Sequence, residues 1–61
     1  MPMYRAFPVD QTGRIVAPSN DFEAGTDVEA IVRAMQFVDG HAMEIWDAER
    51  RVGVIQRRRD D

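Results

Sequence analysis

Sixty-one residues, 44% hydrophobic and 31% charged, fit one domain whose core is small relative to its surface. With no cysteine and a single histidine, His41, the chain has no disulfides, no thiolate nucleophile, no Cys-based zinc site and no multi-His metal centre, so neither metal nor cofactor is expected. The net charge of −3 conceals an uneven distribution: residues 15 to 49 hold eight acidic groups against one Arg, and residues 50 to 61 hold five Arg against two Asp.

The first predicted element is a β-hairpin in "YRAFPVDQTGRIVAP". Two strands, 4 to 9 and 14 to 18, are joined by Asp10-Gln11-Thr12-Gly13, a turn with glycine available for the left-handed position. Pro8 and Pro18 donate no backbone hydrogen bond, which places this hairpin at a sheet edge or beside bulges. "SNDFEAG", 19 to 25, reads as a loop in which Phe22 anchors against the helix start.

"GTDVEAIVRAMQFVDG" is the next element. Thr26 followed three residues later by Glu29 makes a capping box, in which the hydroxyl accepts from the Glu29 N–H and the carboxylate reaches back to the N–H of Thr26. A helix over 27 to 38 follows, ended by Asp39-Gly40. Val28, Ile31, Val32, Met35 and Val38 repeat at three- and four-residue steps and predict one apolar stripe against the core, with Glu29, Arg33 and Gln36 in water.

A second hairpin follows in "HAMEIW", Asp47-Ala48-Glu49-Arg50 and "RVGVIQ". Alternation sends Met43 and Ile45 under the helix and Glu44 and Trp46 to the opposite face. Two registers compete. Pairing Asp47 with Arg51 sets Trp46 across from Val52 and joins Ile55 to Met43. Pairing Trp46 with Arg51 gathers Met43, Ile45, Val52 and Val54, the more coherent apolar face and the preferred expectation, since a one-residue slip inverts every side chain. Arg50 stands where a small turn former is expected. "RRRDD", 57 to 61, has no periodicity and predicts a disordered tail.

The order is ββαββ: an α+β single domain, 1 to 56, with two hairpins flanking one helix and a four-stranded antiparallel sheet covered on one face only. The N-terminal "MPMYRAFPVD" is not a basic region followed by an apolar run, and nowhere do 18 apolar residues follow one another, so a soluble cytoplasmic protein with no membrane partner is expected. All eight basic residues are Arg, which points to a GC-rich bacterial coding sequence.

Tyr4, Asp10, Gly13, Ile15, Asp27, Glu29, Ala30, then "GHAMEIWD" from Gly40 to Asp47, and Arg51-Val52 resemble a pattern in short alphaproteobacterial proteins with no assigned activity. That resemblance covers most of residues 4 to 54 and implies a source and a shared ββαββ fold, but carries over no catalytic residue. "GTDVEA", Gly25 to Ala30, is also similar to the helix start of HicB-type antitoxins in their partial RNase H-like domain. That likeness implies a further strand before the helix and an appended DNA-binding segment, neither of which is in this sequence, and the capping box alone accounts for the match.

Candidate chemistry is sparse. Glu44 beside Ile45 and Trp46 has the makings of a general base, but a strand glutamate paired with Arg50 or Arg51 is the commoner arrangement. His41 with Asp39 or Glu44 is a conceivable acid–base pair, yet a cationic side chain just after a helix stop complements the dipole. No serine lies in a nucleophile turn and no Gly-rich phosphate loop exists, so no catalytic residue is expected. Arg50, Arg51 and Arg57 to Arg59 near Trp46 have the elements of a nucleic-acid contact. Against that stands an isoelectric point near 4.9, because such readers are basic. The expectation is therefore a non-enzymatic interaction module that forms a homodimer through the helix-free face or an edge strand, with Phe7, Glu44, Trp46 and Arg51 as its interface residues.

Overall fold

The computed structural model describes residues 1 to 38 and 40 to 56, and the expected tail, 57 to 61, lies outside them. In chain order the elements are β1 (Met3–Val9), β2 (Asn20–Glu23), α1 (Asp27–Ala34) with a 3-10 turn at Met35–Phe37, β3 (Ala42–Asp47) and β4 (Arg50–Ile55). The strands form one antiparallel sheet in the order β2-β1-β3-β4, which is the expected ββαββ arrangement with one helix. β1 and β3 are the inner strands, so every apolar contact of the helix converges on them or on their neighbours.

The first hairpin forms differently from its prediction. Its turn is as expected: Asp10 Oδ1 accepts from the amides of Thr12 (2.9 Å) and Arg14 (3.0 Å), and Gly13 takes φ 85°. The strand expected at 14 to 18 is reduced to one bridge, Val9 to Ile15, and the returning arm is Asn20–Glu23, in the stretch read as a loop. Val9 faces Ile15 whereas Ala6 faces Asn20, so three steps along β1 are matched by five on the return. The two extra residues fall around Pro18, which cannot donate to a ladder. Pro8 lies within an inner strand but costs no β3 pairing. Its carbonyl accepts from Val16 N (3.0 Å) on the side away from β3, and the amide it lacks points the same way.

The second hairpin combines both candidate registers. Near the turn Trp46 faces Arg51 and Asp47 faces Arg50; beyond an irregularity between Ile45 and Trp46, Ile45 faces Gly53, Glu44 faces Val54 and Met43 faces Ile55. Val52 is the extra residue of a β-bulge. Val52 packs against the core, and a Cβ on Gly53 would stand 3.5 Å from Ile31 Cδ1, so consecutive residues both turn toward the helix. The expected apolar set of Met43, Ile45, Val52 and Val54 is therefore Met43, Ile45, Val52 and Ile55, with Val54 moved to the opposite face beside Glu44.

The helix starts at the predicted cap. Thr26 Oγ1 accepts from Glu29 N (3.1 Å), while the Glu29 carboxylate reaches one residue past Thr26 to accept from Gly25 N (2.7 Å). The roll of the helix overturns the expected stripe at three of its five positions, while Val38 packs against the core and Ile31 lies over Gly53. Ala30 and Ala34 are its buried residues, whereas Val28, Val32 and Met35 are 73%, 59% and 57% exposed. The seam is alanine on both sides: Ala6, Ala24, Ala30 and Ala34 are fully buried with Tyr4, Met43 and Ile45, and Ile31 reaches over Gly53. At roughly 100° per residue the ridge of Val28, Val32 and Met35 sits about a third to a half of a turn from that seam, beyond Ile31. Small side chains let the helix approach closely, and a valine seam would hold it further off. Phe22 stacks on Tyr4 with centroids 6.0 Å apart and lies 5.7 Å from Phe37, so it anchors the end of the helical segment.

Two expectations follow for stability. Thr26→Ala removes the acceptor for the Glu29 amide and should cost about 1 kcal/mol, read as a lower urea midpoint with unchanged slope. Ala30→Leu adds three carbons to a closed seam and should cost about 1–3 kcal/mol or more, whereas the same change at exposed Val32 should lie within about 0.5 kcal/mol.

Candidate interaction surface

The face turned away from the helix is built by strict alternation on β1, β2 and β3. Met3, Arg5 and Phe7 point there from β1, with Arg5 facing both Trp46 and Asp21, Phe7 facing Glu44, and Met3 facing Glu23. Glu44 and Trp46 come from β3, Arg51 and Val54 from β4, and Ile15 leans in from the loop. All four residues expected at an interface, Phe7, Glu44, Trp46 and Arg51, thus occupy one face. Met3 (54%) and Ile15 (58%) join them; Met3 lies before the start expected for the first strand, and Ile15 lies in an expected strand that is reduced to one bridge. Met3, Phe7, Ile15, Glu44 and Trp46 line a shallow depression of about 610 Å³, and Arg51 lies outside its lining.

Glu44 has a different partner from the arginine expected for it. Trp46 Nε1 donates to Glu44 Oε1 at 3.1 Å, two residues apart on the same strand and face. The ionisable group beside the only Trp thus satisfies the indole N–H and fixes the ring against the sheet, while one edge of the ring stays open. Arg51 makes no ion pair among the described residues, and Arg5 lies 3.9 Å from Asp21 with both side chains about half exposed. Such a contact contributes little stability.

Arg50, anomalous as a turn residue, is explained on the other side of the sheet. Its guanidinium makes two 2.8 Å bonds to the carboxylate of Asp27, in the first turn of α1, and a third of 3.0 Å to Asp47. The Tyr4 hydroxyl donates to Asp27 Oδ1 at 2.9 Å, so one carboxylate ties β1, α1 and β4 together. The Arg50 bonds, then the Tyr4 hydroxyl, hold the Asp27 carboxyl down at about 2. Burial and the neighbouring Asp27 push the Tyr4 phenol up. With Tyr4 and Arg50 both bound to Asp27, the cluster is a structural clamp.

His41 is exposed in a shallow groove with Asp10, Gln11 and Gln56, and Glu44 does not line it; Asp39 lies outside the described residues. Among the described residues no three His, Cys, Asp or Glu side chains converge as a metal site, and no helix is long and apolar enough to cross a membrane. Comparison with protein-family models, with curated proteins and with solved structures gives no match to this chain.

The clamp has a pH signature. The folded-state pKa of Asp27 lies below its ordinary value of 3.8, so its contribution is present in full above that value and is lost as pH falls through about 2. Urea midpoints of the wild type and Asp27→Asn should differ most at neutral pH and converge between about pH 4 and about pH 2. A difference independent of pH would mean that the carboxylate charge contributes nothing.

Proposed function

We propose that this chain is a small non-enzymatic interaction module that associates as a homodimer through its helix-free sheet face. One observation carries the reading: Met3, Phe7, Ile15 and Trp46 line one shallow, partly exposed depression, with Arg5 and Glu44 among them, around an indole whose N–H is already satisfied by Glu44. Monomeric proteins rarely leave such surfaces without a use. A core built largely from alanine gives this fold little burial of its own, which a second chain supplies.

The charges on this face favour a protein partner over a polyanion. Arg5 and Arg51 share it with Asp21, Glu23, Glu44 and Glu49, two cations against four carboxylates. Aromatics on a four-stranded sheet can stack bases, but a phosphate backbone would meet a net negative surface here. Under a two-fold axis, Arg5 and Arg51 of one copy can approach carboxylates of the other, which offsets part of that negative charge. The alternatives are weaker. Nucleic-acid binding through the C-terminal arginines draws on residues 57 to 59, outside those described, and a HicB-like antitoxin role draws only on the capping-box stretch. A bacterial, cytoplasmic setting belongs to the same proposal, supported by the arginine-only composition and the sequence resemblance.

Trp46→Ala tests the dimer. Removing a central aromatic anchor should weaken association by roughly 2 kcal/mol or more, read by sedimentation across a dilution series. Trp46 emission should shift to longer wavelength as the wild type dissociates, and its thermal midpoint should fall on dilution. A wild type that stays monomeric with dilution-independent emission would refute the proposal.

A further inference from the structure

We infer a second self-association surface, distinct from the helix-free face: the β4 edge of one copy pairs with the β2 edge of the next, head to tail. The strand order places the uneven charge of the sequence at opposite sides of the sheet. β2, with Asp21 and Glu23, is one edge; β4, with Arg51 and then the uncharged Val52, Gly53, Val54 and Ile55, is the other. Edge strands are ordinarily guarded by charge or proline. β2 is guarded by its carboxylates, and among the described residues β4 beyond Arg51 is guarded by its bulge.

Strand direction favours the same contact. β1 is antiparallel to β2 and to β3, and β3 is antiparallel to β4, so β2 and β4 run in opposite directions. A copy translated sideways therefore meets its neighbour as an antiparallel pair, with both helices on one face. A register that sets Gly53 beside Phe22 of the next copy puts two helix-side positions together, with Ile31 above Gly53 for the ring to pack against. On the other face it brings Arg51 next to Glu23 and Val54 next to Asp21. Ile31, which overhangs Gly53, is the helix residue nearest this edge, and the exposed ridge of Val28, Val32 and Met35 lies higher on the helix. The contact is heterologous, and repetition extends it beyond a dimer.

Charge reversal decides the question, with sedimentation over a dilution series as the readout and urea midpoints as the folding control. Glu23→Arg and Arg51→Glu, both at exposed positions, should each weaken association about fivefold or more, with wild-type association weakening as salt rises. Mixing the two variants, or combining both changes in one chain, should restore it. The series is repeated with Trp46→Ala, which removes the helix-free contact. Association that survives Trp46→Ala and follows the charge swap supports the edge contact; the face dimer is refuted as well if Trp46→Ala leaves the strength of association unchanged. Association lost with Trp46→Ala and indifferent to the swap refutes the edge contact and leaves the face dimer standing. A response to Arg51→Glu alone, with Glu23→Arg inert and no rescue on mixing, would replace this arrangement with a two-fold β4 pairing.

Discussion

Close approach of the helix to the sheet is the constraint on which the remaining geometry depends. Ala30 and Ala34 meet a floor that includes Ala6, with Ala24 sealing the side, and the short contact distance sets how the helix must roll. Three consequences follow from that roll. Asp27 comes within bonding distance of both Tyr4 and Arg50, Ile31 settles over the side-chain-free Gly53, and the larger apolar residues of the helix are turned outward. The burial supplied by such a seam is small per residue, and packing of Tyr4, Met43, Ile45 and the partly buried Phe22 and Phe37 supplies much of the rest.

Local signals in the sequence proved reliable where a single interaction decides the outcome. Thr26 and Glu29 mark the helix start because capping is a local hydrogen-bond exchange, and the Asp10 turn forms because a carboxylate can satisfy nearby amides without help from elsewhere. The placement of Met43 and Ile45 opposite Glu44 and Trp46 was likewise legible, since an extended, unbulged strand alternates its side chains between two faces. Helix roll was not. Apolar periodicity identifies a stripe, but shape selects the seam, and Ala30 with Ala34 offered a narrower one than the valines did. The i, i+4 spacing of those alanines, with Ala6 and Ala24 elsewhere in the chain, was the available signal.

The strand registers failed for a related reason. Each proposed register for β3 and β4 described half of the ladder, because a bulge at Val52 lets both be true in different places. A bulge responds to what lies above the sheet, here Ile31 over Gly53, and no pairwise pattern along one strand reports that. The returning arm of the first hairpin moved from 14–18 to Asn20–Glu23 because Pro18 interrupts the ladder after a single bridge. Of the surface proposed for association, the sequence supplied Phe7, Glu44, Trp46 and Arg51, but assigned Glu44 the wrong partner. The indole N–H is a donor that needs an acceptor nearby, and the carboxylate two residues away meets that need.

Ala48 adopts φ 55° in the tight turn between β3 and β4, a conformation that an alanine adopts reluctantly. A glycine or asparagine there would let the hairpin close by local preference. With alanine, closure relies on what happens after the turn, where Arg50 grips Asp27 at the start of the helix and Asp47 beside it. The C-terminal hairpin is thus not a self-sufficient folding unit. Its formation is conditional on a helix built from the preceding segment, and the helix in turn rests on the strands of that hairpin. Mutual dependence of this kind makes folding cooperative in a chain too short to tolerate separately stable parts: neither half holds its shape alone, and partly folded species have little to stabilise them.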